Sequence, residues 1–230
     1  MQLEKVQVKD IKVKHKVKPA VVYSRLEENF NIITHFVGFL LALVGSIFLI
    51  SKSVSFELGA GGIFSVLVYS IALLCCFGMS TLYHMMPNHT IRRKVFRRLD
   101  HCSIALLIAG TYTPFMLIGV GGVLGIVLAT INLTLAVFLV ILNSIDVHKF
   151  RIISIILYLA MGWLILPVIV PTIQRLGLAA FIWLMMGGIS YTVGVIFYKS
   201  KSIPLNHAIW HIFVLVGAVL MYVSMMVYVI

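Results

Sequence analysis

The sequence predicts an all-α fold: a seven-transmembrane helix bundle with its N-terminus cytoplasmic and its C-terminus extracytoplasmic. Three observations predict it. Of 230 residues 61% are hydrophobic and only 11% charged, where soluble domains carry about 25% charged residues, and the mean hydropathy is +1.09. Seven apolar runs, at 32–50, 62–86, 101–119, 123–142, 152–171, 176–198 and 207–229, have the roughly 17–25 residues needed to cross a hydrocarbon core. With seven crossings, sixteen of the eighteen Lys and Arg fall on one side, and only Lys52 and Arg175 on the other. Cytoplasmic loops carry that excess, so the basic side faces inward.

Residues 1–26 form a basic cytoplasmic tail with Lys5, Lys9, Lys12, Lys14, Lys16, Lys18 and Arg25. Val or Ile alternates with Lys or Gln over 3–18, a strand-like period with no partner strand. Each Lys near an anionic inner leaflet adds roughly 1 kcal/mol of attraction, so anionic inner-leaflet lipids are the expected partner; a solvated tail that merely sets orientation is the plainer alternative. The net charge of +11 follows from the inside bias alone, and a nucleic-acid partner is not needed. Some thirty polar and basic residues precede the first apolar run, which argues for a retained helix rather than a cleaved signal. Gln2 and the lack of a C-terminal cysteine box offer no lipidation motif. The expected location is the plasma membrane, as a multi-pass protein whose membrane domain is 27–230.

Taken in order, the first span follows a polar group, Glu27, Glu28, Asn31 and His35, placed to cap that helix or close the floor of a cavity. Gly38 and Gly45, and later Gly121, Gly122, Gly125, Gly187, Gly188 and Gly194, suit close helix packing in lipid. The second span ends at Ser80-Thr81-Leu82-Tyr83-His84. The third opens at Asp100 and contains Gly110-Thr111-Tyr112-Thr113-Pro114, where the proline removes a backbone hydrogen bond and should kink the helix; Thr111 or Tyr112 is placed to line a cavity. Pro167 and Pro171 shape or end the fifth span. The seventh opens at Asn206-His207. Cys75, Cys76 and Cys102 have no metal-type spacing and read as packed, reduced thiols.

The chemistry gathers at one level. The second helix runs inward and ends at His84; the third and seventh start from the inner face at Asp100 and His207. His207 and His211 are four apart and share a helix face, close enough for both imidazoles to hold one zinc ion. Ionisable and imidazole groups at membrane depth normally face the bundle interior and mark function. His84 is the favoured third ligand. Ser80, one turn earlier, can hold water at the metal or orient His84, or back-bond to its own helix. Asp100 can bind the metal, act as general base, or pair with Arg97 or Arg98. His101 points about 100° away from it and is a weaker candidate. His15, His89 and His148 lie in tail or loops.

At these residues the chain resembles the hemolysin III family, within the superfamily of progestin and adipoQ receptors and, more distantly, alkaline ceramidases. The likeness covers roughly residues 24–229. It rests on Glu27-Glu28, Asn31 and Thr34-His35, on Ser80-x3-His84, on Arg98-Leu99-Asp100-His101, on Gly110 to Pro114, and on His207-x3-His211. The resemblance implies a zinc ion bound by His84, His207 and His211 in a seven-helix bundle, with Asp100 holding or activating water.

A zinc-dependent hydrolase of a lipid amide or ester is therefore the leading expectation, with His84, His207 and His211 as ligands, Asp100 as base and Ser80 as orienter. Manganese or iron would also accept these donors. Two readings compete: a membrane-perturbing cytolysin or pore former, and a zinc-containing sensor of membrane state that binds lipid without turnover.

Overall fold

The computed structural model describes residues 23–200 and 202–230, all of whose regular structure is helical. The basic tail up to residue 22, with the lysines expected to meet inner-leaflet lipids, and Lys201 lie outside the described residues.

The elements are α1 (Arg25–Ser55), α2 (Gly59–Met85), α3 (Ile91–Pro114), α4 (Gly122–Asp146), α5 (Arg151–Gly162), α6 (Ile169–Lys199) and α7 (Asn206–Ser224). Among the described residues six helices are long and apolar enough to cross a membrane, one of them the 49-residue run Arg151–Lys199. Many large apolar side chains on α1, α4 and α6 face outward, Leu41, Ile47, Val137 and Ile182 among them, while the interior holds buried serines, asparagines and histidines. A lipid solvent accepts those outward apolar side chains, while polar groups stay inside beside the apolar core.

Local chemistry sets the helix ends. The Ser24 side chain caps α1 by accepting the Glu27 N–H at 3.2 Å, and Thr90 caps α3 by accepting that of Arg93 at 3.1 Å. Pro114 ends the regular part of α3, which continues as a π-helical turn, Phe115–Val120. Thr111 and Thr113 turn their hydroxyls onto the carbonyls of Leu107 and Ala109. The expected disturbance is thus a change of helical register at the proline.

The stretch expected as one helix over 152–171 is divided. Regular α-helix ends at Gly162, Pro167 lies in a 3-10 turn (Leu166–Val168), and Pro171 falls in the first turn of α6. Tyr112 of α3 donates a hydrogen bond to the Gly162 carbonyl, which takes up a group that continued helix would have used. A second interruption comes at Gly177, whose φ of 85° and ψ of 161° break the helical path. Only glycine adopts that region freely.

α2 packs extensively against both α3 and α1, α6 lies along α7, and α3 packs against α4, with α7 also meeting α1. α5 leans instead on α3 and α4. Its Tyr158 hydroxyl donates to the His101 carbonyl at 2.6 Å and accepts from Asn143 at 3.0 Å.

Candidate metal centre

His207 and His211 occupy successive turns of α7 and leave the same face. Their Nε2 atoms are 3.1 Å apart, and His84, from the last turn of α2, brings its own Nε2 to 3.3 Å from that of His207. One donor atom from each of the three lies within 4.8 Å of the others, and all three residues are buried. Three nitrogens holding one tetrahedral ion at 2.0–2.1 Å would stand roughly 3.3 Å from one another. The donor set and its spacing both fit zinc.

A carboxylate fixes which nitrogen His84 presents. Glu28, in the first turn of α1, places Oε2 2.6 Å from His84 Nδ1. An ionised carboxylate only accepts, so the proton belongs on Nδ1 and the lone pair on Nε2, facing His207. The other Glu28 oxygen is paired with Arg93, which is only 7% exposed. Arg93 also donates to the Met86 carbonyl at 2.7 Å and stacks on the Tyr83 ring at 4.7 Å. One arginine of α3 thus ties the end of α2, where His84 sits, to α1.

The start of α7 is held as firmly. Asn206 donates to the Ser200 carbonyl at 2.7 Å, and Glu27 accepts the His207 N–H at 3.3 Å, giving an otherwise orphan helix donor an anionic partner. Tyr23 stacks on the His207 ring at 4.7 Å. Of the two glutamates expected to cap α1 or floor a cavity, one caps α7 and the other orients a histidine.

Asp100 and Ser80 line the same cavity as His207 and His211. Asp100 is outside the three-histidine group; its Oδ2 lies 3.4 Å from His101 Nδ1, while Arg97 contacts His148 and Arg98 turns to the Ile145 carbonyl. The pairing of Asp100 with Arg97 or Arg98 is not formed. Among the described residues the buried Ser80 Oγ has no hydrogen-bond partner, so its back-bond is not made either, and Ser80 lines the cavity with that group unpaired. His101 lines the cavity too, nearer Asp100 than its position one residue along the helix suggested.

His35, expected to help cap α1 or close the floor of a cavity, lines the cavity beside the trio. Its ring stacks on His211 with centroids 3.6 Å apart, and both of its nitrogens are buried without a hydrogen-bond partner among the described residues. The signal was its spacing from Asn31, one helical turn earlier and itself 3.3 Å from His84 Nδ1. His89 and His148 are exposed, as their loops imply. Cys75, Cys76 and Cys102 are free thiols.

The cavity, about 1210 Å³ counted out to its open mouth, is lined by residues of α3, α5, α6 and α7, together with His35 of α1 and Cys76 and Ser80 of α2. Thr111 and Tyr112 both line it. Its walls beyond the trio are chiefly aliphatic and aromatic.

Comparison with known proteins agrees with this architecture. The family model described as "Haemolysin-III related" matches residues 23–222. "Hemolysin-3" of Bacillus cereus is 41% identical over 203 residues, covering 88% of this chain and 92% of the relative. "Hemolysin-3 homolog" of Bacillus subtilis (strain 168) is 39% identical over 202 residues, covering 88% and 94%. The human "Monocyte to macrophage differentiation factor" is 29% identical over 175 residues, covering 70% and 68%.

Proposed function

The chain belongs to the haemolysin-III-related family, and from that premise we propose that it is a seven-span plasma-membrane hydrolase of a lipid amide or ester, with zinc held by His84, His207 and His211. The observation that carries this is the trio itself: three buried imidazoles with converging Nε2 atoms, opening onto an apolar slot that also presents Asp100 and Ser80. Length supports the reading of seven spans. A 49-residue helical run would extend about 70 Å, more than twice a hydrocarbon core of roughly 30 Å, so the chain turns back at the Gly177 break. The charge bias then puts the N-terminus and the metal centre at the cytoplasmic side.

Zinc bound with one position open supplies activated water near neutral pH and polarises a carbonyl. Each residue then has a definite task. Glu28, held by Arg93, keeps His84 in the tautomer that offers Nε2. Asp100 accepts a proton at its carboxylate, as general base. Ser80 Oγ hydrogen-bonds in the pocket beside His84. The apolar walls take the lipid chain and exclude bulk water from the linkage to be cut, and α5 and α6 leave the side through which the chain enters.

The first experiment is metal analysis of protein purified in mild detergent without chelator, wild type against His207→Ala/His211→Ala. About one zinc per chain, lost in the double variant, is expected; no metal in either, even after zinc is offered back, would sink the proposal. Asp100→Asn is then expected to keep its metal and lose turnover of lipid amides and esters by about 10²–10⁴-fold. Full metal with no turnover in the wild type would move the protein to lipid sensing.

A further inference from the structure

The slot leading from the trio is apolar along most of its length and cationic at one end. Its α5 wall runs from Arg151 to Trp163, about 18 Å of helix. Leu107, Ile108, Leu159 and Val195 line the interior. At the end level with the trio stand Arg151 and Tyr198.

The Arg151 guanidinium lies 5.9 Å from the Tyr198 ring centroid, and that centroid lies 5.8 Å from the His207 ring. The cation stands one aromatic ring away from the metal ligands. Among the described residues Arg151 forms no ion pair: Glu28 is taken by His84 and Arg93, and Asp100 by His101. The neighbouring charges are engaged elsewhere. Arg97 contacts His148, and the Asp146 carboxylate accepts the backbone N–H groups of His148 and Lys149 at 2.8 and 3.0 Å. A half-buried guanidinium beside an apolar slot, stacked on an aromatic face with its N–H fork unclaimed, suits bidentate pairing with a phosphate or carboxylate.

Building on the reading of the slot as a lipid site, we propose that the lipid it takes is anionic: the chain lies along the slot, and the headgroup phosphate or carboxylate pairs with Arg151 at the mouth. The order of groups along the slot sets the order of groups in the ligand, with charge at one end, the linkage presented to the trio near it, and then hydrocarbon. A neutral amide lipid fills the hydrocarbon part and leaves Arg151 without a counter-ion. Tyr198 packs between the headgroup position and His207, so the headgroup binds beside the metal ligands rather than on them.

The test uses the full-length protein with its metal, in neutral detergent. Trp163 and Trp210 line the slot, so lipids with brominated chains report entry by quenching tryptophan fluorescence. The probes are phosphatidylglycerol and diacylglycerol, which has no phosphate or carboxylate, carrying identical dibrominated chains. Phosphatidylglycerol is expected to quench at several-fold lower concentration. In Arg151→Gln that preference disappears while diacylglycerol quenching is unchanged, which also shows that the slot is still folded. Arg151→Lys keeps part of the preference, and Lys149→Gln keeps all of it.

Equal quenching by the two lipids in the wild type would overturn the proposal, as would a preference that survives Arg151→Gln or falls equally in Lys149→Gln. Displacement of phosphatidylglycerol by excess inorganic phosphate would assign Arg151 to a soluble anion and overturn the lipid headgroup. His207→Ala/His211→Ala separates the two levels of inference: a headgroup preference retained there, with turnover gone or never present, keeps the anion site even if hydrolysis falls.

Discussion

The seam between α2 and α3 and the slot lined by α3, α5, α6 and α7 are built on opposite principles. At the seam, Gly110 brings backbones together so closely that a Cβ there would stand 2.5 Å from that of Ala72, and the buried Arg93 crosses from α3 to Glu28 on α1. Across the slot, Gly188 of α6 has nothing within 4 Å of where its Cβ would be, and α5 is held to α3 and α4 by a few polar contacts, among them those of the Tyr158 hydroxyl. A metal centre needs its donors fixed to a fraction of an ångström, whereas a lipid needs a wall that yields. On the proposed reading, the molecule separates the two demands by giving them to different parts of the bundle.

The sharpest way to break that contrast is to loosen the seam at the metal. Glu28→Gln removes the charge that pairs with Arg93 and weakens the hold on His84 Nδ1. Because partners behind a metal-bound histidine typically contribute 10–100-fold in affinity, zinc should bind about 10–100-fold more weakly, measured by competition with a chromogenic chelator. Glu28→Asp should recover part of the loss. Unchanged zinc affinity in Glu28→Gln, with the fold intact, would show that the seam orders the helices without setting the ligand.

The same division explains what was legible beforehand. His84, His207 and His211 could be placed together because span ends share a level and residues four apart share a helix face, both properties of regular helices. Arg93 could not be singled out, because it sits among Arg92, Lys94, Arg97 and Arg98 and reads as one more inside charge; its partner is 65 residues away. Nor was the end of α5 visible, since the apolar run continues unbroken past Gly162. The termination depends on a tertiary contact, the hydroxyl of Tyr112 meeting the Gly162 carbonyl. Gly177 carried a weak signal as a glycine between two long apolar runs, and its positive φ gives that signal its meaning.

A paired substitution measures the contrast in packing. Gly110→Ala forces a methyl into contact with Ala72 and brings it to 3.2 Å from the Val68 carbonyl oxygen, so it should destabilise by about 1–3 kcal/mol, the usual range for an overfilled site. Gly188→Ala meets open space and should change stability by less than about 0.5 kcal/mol. Unfolding midpoints in a detergent titration, read on both variants, check the difference. Equal losses would mean that the slot is as tightly packed as the seam, and the separation of tasks would fail.

The smallest effect is expected from Tyr158→Phe. Its hydroxyl gives one bond to the His101 carbonyl and receives one from Asn143, and interhelical hydrogen bonds in membranes average only about 0.6 kcal/mol, with a maximum of about 1.7. The loss falls on α5 alone, since the Asn143 side chain keeps its bonds to the Leu139 carbonyl and to Ser154. Stability should therefore drop by roughly 0.6 kcal/mol with zinc affinity unchanged, while exchange of backbone amides in α5 quickens and that in α2 and α3 stays slow. If instead the zinc affinity fell together with stability, strain in the slot wall would be passing through His101 to Asp100, and the lipid-facing wall would be part of the metal centre's support.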